Sequence, residues 1–411
     1  MVIKEIKALE VLDSRGNPTV EAHITLGGGY KGYGIAPSGA STGQYEALEL
    51  RDHDSRYHGK GVMCAVENVN TVIASAMREQ SYNSNPEFDA ALCILDGTNN
   101  KSRLGANATI ACSIAFARAA AEAHNLPLAR WLSNNPKAEL VMPTPMVNVI
   151  NGGMHADNEL AFQEFMIVPV RNTSFAEKVR MCSEVFHSLK GVLHNAGHST
   201  NVGDEGGFAP KLNDNEEALS YILQSIEKTG YKPAIDFMLA LDVAANSFYR
   251  DGHYMLNTAN HLKTEDMIAM YSQLTRKFPI LSIEDPLIED SKPGWQAITK
   301  ELGNRVLLVG DDLLVTNAAL IEEAAQLNMA NAVIIKPNQI GTISEANAAA
   351  VTARNHHFKL IASHRSGESE DTSIAHIAVA WQTEYIKTGS MSRTDRVTKY
   401  NELIRLEQDF I

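Results

Sequence analysis

The chain has 411 residues and a net charge of −13, from 36 basic and 49 acidic side chains. Its 44% hydrophobic and 21% charged content is that of a folded globular protein and excludes disorder as the main state. The acidic balance argues against nucleic-acid binding, and at roughly 150 residues per domain the length suits two or three domains, or a barrel plus a smaller module.

Met1 to Gly16 contains acids and no apolar run, which reads as the absence of a signal peptide. No uncharged apolar stretch approaches the roughly 18 residues of a membrane span. Cys64, Cys93, Cys112 and Cys182 form no C-x-x-C pair and read as reduced thiols of a cytoplasmic protein.

Val20, Ala22, Ile24 and Leu26 alternate with Glu21, His23 and Thr25, and Gly27-Gly28-Gly29 precedes Tyr30 to Ile35. That pattern predicts antiparallel strands about a glycine turn. Residues 37–43, Pro-Ser-Gly-Ala-Ser-Thr-Gly, hold no core-forming side chain and read as a flexible functional loop. Residues 47–56 read as a solvated charged face, and the alanine-rich stretch 105–124 as a helix. Pro127, Pro136, Pro143 and Pro145 then interrupt the chain, which places a boundary between a module of residues 1–137 and a larger one of 138–411.

Beyond that boundary short apolar runs recur: Phe165–Val170, Phe237–Val243, Ile280–Ile283, Val306–Val309, Ala332–Ile335, Leu360–Ala362 and Tyr385–Ile386. Helical segments separate them, one opening on a capping-box pair, Asp214 and Glu217, and closing at Gly230. Strand–helix alternation predicts an α/β protein with a parallel sheet, and so many units favour a closed barrel.

The strand ends are charged. Asp242, Glu284, Asp311, Lys336, His364 with Arg365, and Lys387 each follow an apolar run, at spacings of 42, 27, 25, 28 and 23 residues. In a β/α barrel such positions converge at the C-terminal face, where active sites sit. A lone Asp after a strand reads as a helix cap, but lysines do not cap helix N-termini, so the joint pattern points to a site. Three carboxylates without a cysteine ligand or an HExxH pair suit a hard cation, with Mg²⁺ the default. Lys336, Arg365 and Lys387 suit an anionic substrate carrying carboxylate and phosphate groups. No Walker A or Rossmann glycine fingerprint is present.

At these residues the chain resembles the enolase family of glycolytic hydro-lyases. The resemblance runs from Asp13-Ser14-Arg15-Gly16-Asn17-Pro18 and Ser38-Gly39-Ala40-Ser41-Thr42-Gly43 through Asn151-Gly152-Gly153, Gln163-Glu164-Phe165-Met166 and Gly203-Asp204-Glu205-Gly206-Gly207. It continues through Ser282-Ile283-Glu284-Asp285-Pro286, Gly310-Asp311-Asp312, Lys336-Pro337-Asn338-Gln339, Ser363-His364-Arg365-Ser366-Gly367-Glu368 and Ile386-Lys387-Thr388-Gly389.

The resemblance implies a small N-terminal α+β domain, a C-terminal β/α (TIM-like) barrel with an irregular start, and reversible dehydration of 2-phospho-D-glycerate to phosphoenolpyruvate. It implies two Mg²⁺ ions, the first on Asp242, Glu284 and Asp311 and the second reached by Ser41 of the loop. It gives Lys336 as the base and Glu205 as the acid, backed by Glu164. His155, Gln163, His364, Arg365, Ser366 and Lys387 are implied as substrate contacts. A homodimer or an octamer of dimers is implied too, with room for a second pool at the cell surface and for surface-binding partners.

This chemistry needs its surroundings. Lysine is a poor base at its ordinary pKa of about 10.4, so Arg365, Lys387 and the metals are expected to favour its neutral form. Hydroxide leaves C3 only with a proton, so Glu205 is expected to be raised by burial or by Glu164. Asp204, Asp285 and Asp312 are candidates for supporting roles, and methionines are expected to fill the core. Two alternatives remain: a related reaction on another α-protic acid, and a binding protein on the same fold. His376 and residues 381–385 depart from the family pattern just before Lys387, so different packing is expected at the last strand.

Overall fold

A computed structural model describes the chain except residues 40–42, 136, 138, 257–260 and 411, and the side chain of residue 410. The N-terminal region forms a meander of β1 (Ile3–Leu12), β2 (Pro18–Leu26) and β3 (Lys31–Ile35). Both pairings are antiparallel. The alternation in β2 is realised: Val20, Ala22, Ile24 and Leu26 are buried and His23 is exposed. Gly28 and Gly29 turn the chain at positive φ.

Helix α1 (Ala106–Ala123) packs on this sheet and is buried almost all round. Its small side chains let the backbones approach. A Cβ on Gly32 would lie 2.1 Å from the Ala115 carbonyl oxygen, and one on Gly34 2.5 Å from that of Ala111. Residues 47–56 are not simply a solvated face. Arg51 pairs with Glu49 at 2.5 Å and donates to the carbonyls of Pro18 and Lys60, so this stretch is partly tucked against the sheet.

The remainder is a closed eight-stranded barrel. Its strands are β4 (Thr144–Asn151), β5 (Glu164–Pro169), β6 (Phe237–Asp242), β7 (Ile280–Glu284), β8 (Leu307–Gly310), β9 (Ala332–Ile335), β10 (Lys359–Ser363) and β11 (Tyr385–Lys387). β4 is the strand that the proline-based reading passes over. Pro145 sits at its second position, where proline is tolerated.

The expected all-parallel sheet is corrected at one strand: β5 runs antiparallel to both β4 and β6. No α-helix lies among the 12 residues, 152–163, that separate β4 from β5, so the usual crossover helix of a parallel pairing is missing there. Two helices, α2 (Phe175–Asn195) and α3 (Asn215–Lys228), then join β5 to β6 and restore the direction. Asp214 caps α3 by accepting from Glu217 N at 2.8 Å, while the Glu217 carboxylate accepts from Asn213 N, one residue earlier than a regular capping box.

Met146, Met166, Val168, Ala240, Val309, Ala332, Ile334 and Ile361 fill the barrel interior, so it is a packed core and the chemistry is confined to its mouth. The departures near the last strand are absorbed outside the barrel. His376 pairs with Glu402 at 3.0 Å, and buried Trp381 donates to the Leu132 carbonyl. β11 keeps its parallel pairing with β10 and β4.

Candidate active site

The barrel register sets the rim. Asp242 and Glu284 are paired in register at the ends of β6 and β7, and Glu164 pairs with Asp242 from the other side. Because β5 is reversed, its first residue, not its last, reaches the C-terminal face. Ser363 and Lys387 are in register at the ends of β10 and β11. Asp311 and Lys336 follow β8 and β9 directly. Ser41 lies outside the described residues.

One cavity gathers these groups. Its walls include Gln163, Glu164, Asp242, Asp311, Lys336, Arg365, Ser366 and Lys387, with His155, Glu205 and His364 on one side. His155 comes from the short turn after β4 and Glu205 from the loop of residues 203–207. The glycines of that loop allow close approach: a Cβ on Gly203 would lie 2.5 Å from the His155 carbonyl oxygen, and one on Gly207 2.5 Å from Asn151 Oδ1.

Charge is tightly paired. Lys387 Nζ donates to Asp242 Oδ2 at 2.8 Å and to Glu284 at 2.9 and 2.8 Å, and lies 3.3 Å from Glu164 Oε1. Burial would lower the Lys387 pKa, but Asp242, Glu164 and Glu284 hold it well above the usual lysine range. Glu284 is pushed up to about 8, by burial first and then by Asp242. Gln163 donates to Asp242 Oδ2 at 3.4 Å.

Lys336 donates to Asp311 Oδ2, and Gln339 donates to Asp311 Oδ1 at 2.9 Å. Burial, Arg365 and Lys387 pull the Lys336 pKa down, as expected, but Asp311 outweighs them and holds it above the usual lysine range. Asp285 accepts from the amides of Asp311 and Asp312 at 2.9 and 2.8 Å, so it fixes the end of β8.

The acid pair also differs from expectation. Glu164 is raised well above the carboxylate range, by burial and then by the charge of Glu205. Glu205 is equally buried, but His364, His155 and Arg396 outweigh burial and hold it low. His155 Nδ1 stands 3.6 Å from Glu164 and 3.8 Å from Glu205, and Asn148 donates to Glu205 Oε2 at 3.2 Å.

The donor set fits a hard divalent cation. The lining offers buried carboxylate and amide oxygens and no thiol, and Glu164 Oε2 and Gln163 Oε1 are buried without a hydrogen-bond partner. Among the described residues, two groups have ligand atoms within 4.8 Å of one another: His155–Glu164–Glu205 and Asp285–Asp311–Asp312. Asp242 and Glu284 are instead gathered on Lys387 Nζ, which supplies the local positive charge.

Sequence reasoning misses several neighbours. Glu46 accepts from Arg365 at 2.8 and 3.2 Å. Arg396, on α4 (Thr394–Phe410), reaches His364. Asn148 is an interior residue of β4, the unanticipated strand. No strand-end pattern marks these three, because each reaches the site from a strand interior, a distant helix or the other domain.

Comparisons with known proteins give a consistent picture. The family model "Enolase, N-terminal domain" matches residues 3–132, and "Enolase, C-terminal TIM barrel domain" matches residues 139–411. A relative named Enolase from Anaplasma phagocytophilum (strain HZ) is 53% identical over 408 residues, spanning 99% of this chain and 94% of the relative. Another of that name, from Ehrlichia ruminantium (strain Gardel), is 49% identical over 407 residues, spanning 99% and 96%.

Proposed function

The chain belongs to the enolase family, and from that membership we propose how its barrel mouth performs the family's reaction, the reversible dehydration of 2-phospho-D-glycerate to phosphoenolpyruvate and water. The observation that carries the proposal is the placement of Lys336 and Glu205 in the lining of one cavity with Arg365, Ser366 and Lys387.

In this reading Lys336 removes the C2 proton. Glu205, sharing a proton with Glu164, delivers one to the departing C3 hydroxide. Arg365 and Ser366 hold the phosphate, and Lys387 faces the substrate carboxylate. Gln163, His155 and His364 orient the remaining oxygens. Asp242, Glu284 and Asp311 would hold a first Mg²⁺. Magnesium supplies fixed positive charge opposite the carboxylate that gains charge when C2 is deprotonated. The Asp311 ion pair raises the Lys336 pKa, so Lys336 acts as a base once that pair is broken.

We also propose the division into residues 1–137 and 138–411, which falls between the two family-model matches. The assembly we propose is a homodimer or an octamer of dimers, which mass photometry measures. Cytoplasmic residence is proposed on four free thiols; among the described residues no helix is long and apolar enough to cross a membrane. The reaction is tested by phosphoenolpyruvate absorbance with Mg²⁺ and then with EDTA. Turnover that EDTA abolishes is expected; no turnover from folded protein would overturn the assignment.

A further inference from the structure

Arg396 is fully buried, although arginine is rarely so unless its donors are all engaged. Its Nη1 donates to the Arg365 carbonyl at 2.6 Å, and its Nη2 to the carbonyls of Ser366 at 2.5 Å and Asp204 at 3.3 Å. Asp395 Oδ2 lies 2.7 Å from its Nε as an ion pair, although that N–H makes no hydrogen bond. One contact goes to a side chain of the cavity: Nη1 meets His364 Nδ1 at 2.5 Å.

A guanidinium is a donor only and does not deprotonate in a protein. His364 Nδ1 must therefore accept, and in a neutral ring the proton is then on Nε2. That nitrogen lies 3.3 Å from Glu205 Oε1, off the line of a hydrogen bond, and is buried without a hydrogen-bond partner. A doubly protonated ring would set an N–H against the guanidinium. Burial opposes that form too, and with Arg396 outweighs the pull of Glu205 and Glu368, so the His364 pKa is brought down to about 4.

The surrounding backbone is shaped for this arginine. Gly389, at φ +82°, has no Cβ; one added there would lie 2.7 Å from Arg396 Cδ and 2.9 Å from the Glu205 carbonyl oxygen. Ser390 N donates to that same carbonyl at 3.0 Å, and Ser392 Oγ donates to the Gly206 carbonyl at 2.6 Å. The turn after β11 thus clasps the loop that bears Glu205, with Arg396 at its centre.

We propose that Arg396 is a positioning residue for the proton-transfer groups: it fixes His364 as the Nε2–H tautomer and so leaves no lone pair on the ring nitrogen that faces Glu205. The proposal rests on the assignment of Glu205 as the acid. The tautomer turns an N–H, not a lone pair, toward the Glu205 carboxylate and so bars His364 from taking the proton Glu205 handles.

The decisive measurement is ¹⁵N NMR of the full-length protein labelled at histidine, with His364 assigned by its loss in His364→Gln. At neutral pH a bare Nδ1 and a protonated Nε2 are expected. An Nδ1–H tautomer or an imidazolium would overturn the proposal. In Arg396→Met the tautomer is expected to mix, and dehydration to fall about tenfold or more relative to exchange of the C2 proton. Retention of the Nε2–H tautomer in that variant, or an unchanged ratio of the two rates, would also overturn it. If Arg396→Met does not fold, the wild-type tautomer decides alone. Absence of phosphoenolpyruvate formation by the wild type would instead overturn the reaction, and would leave the tautomer measurement standing.

Discussion

Lys387 Nζ lies 2.9 Å from one carboxylate oxygen of Glu284 and 2.8 Å from the other, so its ammonium straddles the carboxylate. Asp242 and Glu164 crowd the same ammonium. Lys387→Met would leave these buried acids without their cation. Breaking a buried ion pair from one side costs about 3–5 kcal/mol. The variant is expected to melt well below wild type in EDTA, and Mg²⁺ is expected to raise its melting temperature more than that of wild type. Thermal melts with and without the ion check this; equal increments in both proteins would contradict it.

Lys336 and Glu205 are expected to separate the two proton transfers. Lys336→Ala should abolish exchange of the C2 proton with solvent. Glu205→Gln should slow dehydration by about 10²–10⁴-fold, the usual worth of a positioned acid, while sparing that exchange. Proton NMR in deuterated buffer reads exchange and absorbance reads dehydration. Equal loss of both in Glu205→Gln would remove Glu205 from the acid role.

Asp89 offers a pH test far from the reaction. It is buried in the N-terminal helix Asn85–Asp96 and accepts from Ser344 N at 2.9 Å, while its Oδ1 has no hydrogen-bond partner. Burial raises its pKa to about 6. Because the folded value lies above the unfolded one, its contribution to stability is fully present below the unfolded pKa and is lost as pH rises through about 6. Asp89→Asn keeps an acceptor and removes the charge. The variant should match wild type at pH values near about 4 and be more stable at about 8, by on the order of 2–3 kcal/mol. Denaturant unfolding at the two pH values measures the difference.

Gly32 tests the packing of α1 on the first sheet. A Cβ there would lie 2.1 Å from the Ala115 carbonyl oxygen and 2.4 Å from the Ala119 amide nitrogen. Both are backbone atoms that cannot rotate away. Gly32→Ala is expected to destabilise by about 1–3 kcal/mol or more through overpacking. Gly29→Ala meets no neighbour, so its cost should come only from its positive φ. A Gly32→Ala protein that melts with wild type would show that the helix can shift.

Local pattern accounts for what was legible from the chain alone. The period-two burial of β2, the Asp214 cap and the buried alanine helix depend on side chains close in sequence, so composition and spacing report them. The charged ends of β6 to β11 are legible for the same reason. Four of the five spacings between them, 23 to 28 residues, fit one barrel unit each, and each run of apolar residues has a visible last member. The family motifs at Glu164, Glu205 and Lys336 extend that reading to the site.

Only the tertiary structure decided the direction of β5, and with it why Glu164 meets Asp242 and Lys387. It also decided that Asp311 holds Lys336, that Glu46 of the N-terminal domain holds Arg365, and that Arg396 faces His364. These outcomes follow from through-space distance, desolvation and the direction in which each donor points. A sequence determines which charges exist and which local element carries them; a folded chain decides which charges lose their water together.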